Sequence, residues 1–394
     1  MVSCSFINWL FFSIRIPFAD FGLAQFMRLN GRFSSKPLIQ LFSKNVESGV
    51  RGSRRIIGIN YGTKGSNLPS PYQSIRTLTS MQAHYVKLYD ANHETLKLLS
   101  NTNIRVSIML PDKLIPQIAS NHTIARQWFD DNVLAYYPLT KIRFIMVGNE
   151  VLGTRNPDQW NNLVPAMKII WHSLKTHHVH NIKIGTPMAM DILGSTFPPS
   201  NGSFRTDILA TMSQLLDFLN GTRSFFFLNV YPYFPWSENQ NNISLDFTLF
   251  RGEHLTYRDP GSGLLYTNLL DQMLDSVNSA MSKLGFPTVR IAISETGWPN
   301  NGNVAETGAN IYNAATYNRN LIRKITSTPP LGTPARPGAV IPTFLFSLYD
   351  EDLKDGPETE RHWGLFRPDG TPVYEIDLTG SRTSYGRQFP SVTV

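Results

Sequence analysis

Short apolar, β-branched runs recur along the chain from residue 55, each followed by a polar or helical stretch. They read RIIGINYG from Arg55, HYVKLYDAN from His84, NIRVSIMLP from Asn103 and IRFIMVGNE from Ile142. NIKIGTPM from Asn181, FFFLNVYPY from Phe225, VRIAISE from Val289 and IPTFLFSLYDE from Ile341 complete a set of eight. Near-continuous apolar runs of this length suit strands buried on both faces of a parallel sheet.

Between the runs, apolar residues fall at three- and four-residue steps, the spacing of one buried helix face. This spacing predicts helices in TIARQWFDDNVLAYY, WNNLVPAMKIIWHSLKTHH, TDILATMSQLLDFLN, LLDQMLDSVNSAMSKLG and ANIYNAATYNRNLIRKITS. Eight strand–helix units predict an α/β fold, a (β/α)8 TIM barrel forming a single catalytic domain over residues 56–378. The longest insertion, roughly Pro232 to Ser262, follows the sixth run. A doubly wound open sheet is the competing architecture, but GINYGTK after the first run lacks the glycine pattern of a phosphate loop.

Barrel active sites gather where strands end and the following loops begin. Glu150 ends the fourth run and Glu295 the seventh, so the fold would bring both carboxylates to one mouth. Singly, each reads as readily as a helix cap or an ion-pair partner. Together, with Asn149 and Trp298 beside them, they suit glycoside hydrolysis: one protonates the leaving oxygen, the other attacks the anomeric carbon or activates water. Asn149 is placed to hydrogen-bond a sugar 2-hydroxyl. The eighth run leads into a charged turn with Glu351, Lys354 and Glu360, where a lysine near a catalytic carboxylate would keep it ionised. Aromatic residues crowd the run ends (Tyr61, Tyr89, Tyr231, Tyr233, Phe234, Trp236, Trp298 and Trp363), about half of them as core and the rest as faces for sugar rings.

Composition changes little in this picture. At 41% hydrophobic and 16% charged, the 394 residues read as globular. No uncharged apolar run reaches the ~18 residues of a membrane span. The net charge of +7 points toward nucleic acid, but its distribution does not. Residues 1–55 hold eight of the 36 basic and two of the 29 acidic residues, leaving 28 against 27 in the body. No nucleic-acid partner is therefore expected. Residues 1–55 read as a leader, with FINWLFFSI as a short signal-peptide core. The rest of the leader is Arg/Lys-rich and acid-poor like an organelle transit peptide, and that alternative stays open. Four glycosylation sequons (Asn121, Asn201, Asn220 and Asn242) are no more than such a composition supplies by chance. HExxH, GxSxG and cysteine pairs are missing, and THHVHN reads as an exposed helix end, so neither metal nor cofactor is expected.

Six motifs carry a resemblance. INYG at 59–62, VKLYDAN at 86–92, VGNEV at 147–151, VYPYF at 230–234, ISETGWP at 293–299 and ETERHWGLF at 358–366 occur in this order. The body resembles the plant glucan endo-1,3-β-glucosidases of glycoside hydrolase family 17. That resemblance implies a barrel fold and retaining hydrolysis of β-1,3-glucan, with Glu295 as nucleophile and Glu150 as acid/base. It further implies that Glu351, Lys354 and Glu360 form a charged cluster beside the nucleophile, and that Tyr61 and Tyr231 line the groove. It favours secretion to the cell wall or vacuole, and a monomer acting on a β-glucan polysaccharide. Asn300 stands where relatives carry Ser or Thr, and the tail from 379 has neither cysteines nor a hydrophobic end. A mixed-linkage glucanase, a transglucosylase or a non-catalytic glucan-binding wall protein remain alternatives.

Overall fold

The computed structural model describes residues 57–153, 157–252, 254–382 and 384–385. The expected leader, 1–55, and the end of the expected tail lie outside these residues.

All eight runs form strands. β1 (Ile57–Tyr61), β2 (Tyr85–Leu88), β3 (Arg105–Leu110) and β4 (Lys141–Val147) come first. The fifth run is split into β5 (Lys183–Gly185) and β6 (Pro187–Met188), with Thr186 between them. β7 (Phe225–Asn229), β8 (Arg290–Thr296) and β9 (Thr343–Leu345) follow. The sheet order is β5-β4-β3-β2-β1-β9-β8-β7-β6, with every neighbouring pair parallel. Its two ends, β5 and β6, are joined by one residue, so the sheet curls into a nearly closed barrel.

Helices cover the outside: α1 (Pro71–Ser80), α2 (His93–Leu99), α3 (Ile115–Ser120), α4 (His122–Phe129), α5 (Pro157–Thr176) and α6 (Leu209–Thr222). α7 (Tyr233–Glu238) and α8 (Leu245–Thr248) occupy the long insertion, before α9 (Leu269–Lys283) and α10 (Ile311–Thr326). A two-strand hairpin, Tyr257–Arg258 with Leu265–Tyr266, closes the insertion just past its expected end. Helical spacing found α4, α5, α6, α9 and α10 but not α1, α2, α3, α7 or α8. α1 nonetheless starts on a capping box, with Ser70 accepting from Gln73 N and the Gln73 side chain accepting from Ser70 N.

The large outer core lies between strands and helices. Inside the barrel sits a small separate plug of Tyr85, Met109, Phe144, Met146, Phe227, Ala292 and Phe344. The Phe144 ring lies 5.3 Å from that of Phe227 and 6.0 Å from that of Tyr85. This filling explains two glycines on the inner face. A Cβ on Gly58 would come 2.4 Å from the Phe344 ring, and one on Gly185 2.2 Å from the Phe227 ring. The plug is the floor of the barrel mouth.

Gly58→Ala and Gly185→Ala should each lower stability by ~1–3 kcal/mol through overpacking. Urea unfolding would show this as a lower midpoint at unchanged slope. Unaltered midpoints would mean that the plug is looser than these contacts imply.

Candidate active site

Above the plug the inward positions turn polar. Asn60, Lys87 and Ser107 occupy one register level on β1, β2 and β3. Asn229 ends β7, and Glu295 lies opposite it on β8.

Glu295 reaches this layer through a bulge. Ile293 pairs with Leu228, and the next pair is Glu295 with Asn229, so Ser294 is the extra residue. In a regular strand, alternation from the inward Ala292 would point Ser294 inward and Glu295 outward. The bulge re-aims the carboxylate onto the face of Asn229, inside the mouth.

Glu150 arrives differently. It lies three residues beyond β4, past Gly148 at φ 69°, and is itself left-handed at φ 55°. A Cβ on Gly148 would sit 2.5 Å from Val151. Glu150 N donates to Pro187 O at 2.9 Å, and Asn149 N to Asp112 Oδ1 at 2.8 Å. These bonds hold a backbone that a non-glycine residue adopts only at a cost of ~1–2 kcal/mol.

The two carboxylates differ in their partners. Lys87 Nζ, with its side chain fully buried, lies 2.6 Å from Glu295 Oε1. Tyr89 OH donates to the same oxygen at 2.7 Å, and Tyr231 OH to Oε2 at 2.7 Å. Burial alone would raise the Glu295 carboxyl, but the Lys87 charge and these three donors outweigh it and hold it below the usual carboxylate range. Both phenols are pushed well above their ordinary range by burial and by the charge of Glu295, so they stay protonated donors.

Among the described residues the Glu150 carboxyl has one hydrogen-bond donor, Asn229 Nδ2, at 2.7 Å from Oε1. Asn229 Nδ2 also lies 3.5 Å from Asn149 Oδ1. Burial first, then the charge of Glu295, pushes the Glu150 carboxyl up to about 7, against the opposing effects of Asn229 and Lys87. One carboxylate thus carries the negative charge and the other keeps the proton.

The other expected residues separate into groups. Glu351 accepts from Lys64 N at 2.8 Å and pairs with Lys354 Nζ at 3.4 Å. Lys354 Nζ also lies 3.9 Å from the Phe346 ring centroid. Glu360 is half-buried, and burial raises its carboxyl against the pull of Lys354, with the charge of Glu295 adding to the rise. These three therefore gather on the Glu295 side of the mouth. Tyr231 packs edge-on against Trp363 at 4.9 Å and is half-buried, as are Tyr89 and Phe234. Tyr61 and Trp298 are enclosed, Trp298 with 0% exposure. A ring without an exposed face cannot stack on a sugar. Trp298 instead donates from Nε1 to Gly308 O at 2.9 Å and packs on Tyr233 and Trp236, supporting the wall from behind. In place of the usual Ser or Thr, Asn300 ties the loop after β8 to Asp350 Oδ1 and Gly364 O.

Sequence reasoning missed Lys87 and Asn229 and counted Tyr89 only as an aromatic residue. The signal for Lys87 was a single lysine in an otherwise apolar strand, YVKL. Asn229 closes the apolar run FFFLN in the same way. His178 and His180 stand 6.3 Å apart between ring centroids, and no group of three or more potential metal ligands forms among the described residues.

The Lys87–Glu295 pair has a consequence for folding. The Glu295 carboxyl lies below its ordinary value, so the pair stabilises the fold above the ordinary carboxylate range and loses that contribution as pH falls through the folded value. Lys87→Met should cost ~3–5 kcal/mol at neutral pH by leaving a buried charge unpaired. Adding Glu295→Gln should recover much of the loss. Urea midpoints at pH 7 test this, and a single variant as stable as the parent would refute the pairing.

The family model for glycosyl hydrolases family 17 matches residues 57–378. The chain is 61% identical over 325 residues to the probable glucan endo-1,3-beta-glucosidase A6 of Arabidopsis thaliana, covering 82% of this chain and 68% of that protein. It is 40% identical over 330 residues to the glucan endo-1,3-beta-glucosidase 10 of the same plant, covering 83% and 77%. Other Arabidopsis relatives are covered to 65% and 61% of their length, so the chain spans about two thirds of several of the curated proteins it matches. Among solved structures, CJP38, a beta-1,3-glucanase and allergen of Cryptomeria japonica pollen, superposes with a TM-score of 0.77 at 40% identity, covering 82% of this chain and 99% of that one. A plant beta-glucan endohydrolase superposes with a TM-score of 0.75 at 34% identity, covering 81% and 99%. With the strand order, the paired carboxylates and these matches in agreement, the chain belongs to glycosyl hydrolase family 17.

Proposed function

We infer that this chain is a glucan endo-1,3-β-glucosidase, cleaving internal β-1,3-glucosidic bonds with retention of configuration. The observation that carries the chemistry is the asymmetry of the two carboxylates: among the described residues, Glu295 is bonded to Lys87, Tyr89 and Tyr231, and Glu150 to Asn229 alone. The relatives' names support the linkage.

In the first step Glu295 attacks the anomeric carbon, while Glu150 gives its proton to the departing glycosidic oxygen. This forms a glycosyl ester on Glu295 and a new hydroxyl on the leaving glucan. In the second step the ionised Glu150 takes a proton from water, which attacks the same carbon and releases Glu295. Two displacements at one centre restore the β configuration. Asn229 holds Glu150 in place, and Asn149 beside it is positioned for the sugar 2-hydroxyl. Glu351, Lys354 and Glu360 supply polar contacts to the glucan on the Glu295 side. We place the protein in the secretory route to the wall or vacuole, on the leader's apolar segment and the polymeric substrate.

Activity requires Glu295 ionised and Glu150 protonated. The kcat/KM profile should therefore fall at acid pH below the ordinary carboxylate range and at alkaline pH around 7, the value to which Glu150 is pushed. Laminarin should be cleaved in preference to barley β-glucan and cellulose, with the β-anomer first in early NMR spectra. A first-formed α-anomer would overturn retention, and preference for barley β-glucan would overturn the linkage.

The roles of the two glutamates are separable by azide. Glu295→Ala should abolish turnover, and azide filling its place should give the α-glycosyl azide. Glu150→Ala should fail on laminarin but still form the intermediate from an activated aryl glucoside, which departs without acid help. Azide should then speed its release and give the β-glycosyl azide. Reversed products would reverse the two assignments.

A further inference from the structure

A third carboxylate stands beside the acid/base glutamate. Asp191 lies three residues beyond β6, in the loop leading to α6, and is half-buried. Its Oδ2 is pressed against Gly153, where a Cβ would come within 2.6 Å. Gly153 N in turn donates to Glu150 O at 2.9 Å, and Glu150 N donates to Pro187 O at 2.9 Å. Asp191 therefore packs against the same short turn that positions Glu150, and follows the strand on which that turn is anchored.

The nearest cation does not neutralise it through a hydrogen bond. Arg205 Nη1 donates to the Asp191 backbone carbonyl at 2.9 Å, and Nη2 to Leu152 O at 3.2 Å. The carboxylate that Arg205 engages is that of Asp207, through Nε and Nη2 at 3.1 Å each. Arg205 thus staples the two loops together by their backbone. Asp191 Oδ1 is buried with no hydrogen-bond partner among the described residues. Such an atom needs an explanation, since buried carboxylate oxygens are ordinarily paired.

We propose that Asp191 is a positioning residue for the acid/base, a negative charge behind the 150–153 turn that keeps the proton on Glu150 until the glycosidic bond breaks. The same charge makes the ionised Glu150 a stronger base toward water in the second step. The groups acting on Glu150 are then Glu295 and Asp191, which favour the proton, and Lys87 and Asn229, which oppose it. Burial raises Asp191 itself, against the charge of Arg205. This inference rests on the assignment of Glu150 as the acid.

The test uses the whole chain with ¹³C-carboxyl-labelled glutamate, the Glu150 resonance being the one that Glu150→Gln removes. In the parent it should titrate at about 7. In Asp191→Asn its midpoint should fall by roughly half a pH unit or more, and by less in high salt. The alkaline limb of kcat/KM on laminarin should move with it, a loss of about threefold above the midpoint. Asp191→Glu should restore both, and Asp191→Ser, a second neutral variant, should repeat the asparagine result if the asparagine chain folds poorly. An unmoved resonance, with activity lowered equally at every pH, would overturn the inference and leave Asp191 a packing residue. If instead Glu150→Gln removed no resonance titrating above the usual carboxylate range and left laminarin cleavage intact, the acid assignment itself would fall.

Discussion

The buried ion pair between Lys87 and Glu295 is the constraint around which the rest of the site is organised. A lysine on the inner face of a barrel strand, fully enclosed, is costly unless an anion meets it. Glu295 is that anion, and two phenols complete its shell. Burial first, and then the charge of the ionised Glu295, raises the Glu150 carboxyl in the same mouth, and Glu150 keeps its proton. The difference between the two carboxylates thus follows from their partners, Glu295 having the cation and two phenols beside it and Glu150 the amide of Asn229.

Placing two carboxylates in one mouth from different strands required two departures from regular structure. On β8 an extra residue, Ser294, reverses the strand's alternation just before Glu295. After β4 the chain passes through two left-handed residues, Gly148 and Glu150. Regular strands would have buried one of these side chains in the outer core, among Leu228, Ile293 and their neighbours. The irregularities are affordable because the plug beneath is rigid and aromatic, and because backbone bonds to Pro187 and Asp112 over-determine the turn.

How much of this the sequence revealed depended on the range of the interaction. All eight strand runs were legible, since burial on both faces writes itself as a local apolar run. The split at Thr186 was not, because it arises only where the sheet closes on itself. α1 and α2 are short, with weak apolar spacing, and only the capping box at Ser70 marked α1. That Glu150 and Glu295 would share one mouth was legible because both close apolar runs, and the ends of barrel strands face one side. Lys87 was passed over because a lone lysine on a strand is ordinarily solvated, and nothing local says that it meets a glutamate 208 residues away. Trp298 was read as a sugar-binding face from its neighbourhood to Glu295 in sequence. Its full burial follows from the wall of Tyr233, Trp236 and Tyr317 packed around it, which no sequence pattern announces.

The site is also distributed over nearly the whole barrel. Lys87 stands on β2, Glu150 follows β4, Asn229 ends β7, Glu295 lies on β8 and Glu351 follows β9. Glu351 accepts from Lys64, 287 residues earlier, across the seam where β1 meets β9. A Cβ on Gly62 would fall 2.3 Å from the Glu351 carboxylate, so a larger residue there would push that carboxylate aside. No local segment can therefore form the electrostatic arrangement by itself. The protonated Glu150 and the ionised Glu295 come into being together, when the barrel closes and brings their partners to one mouth.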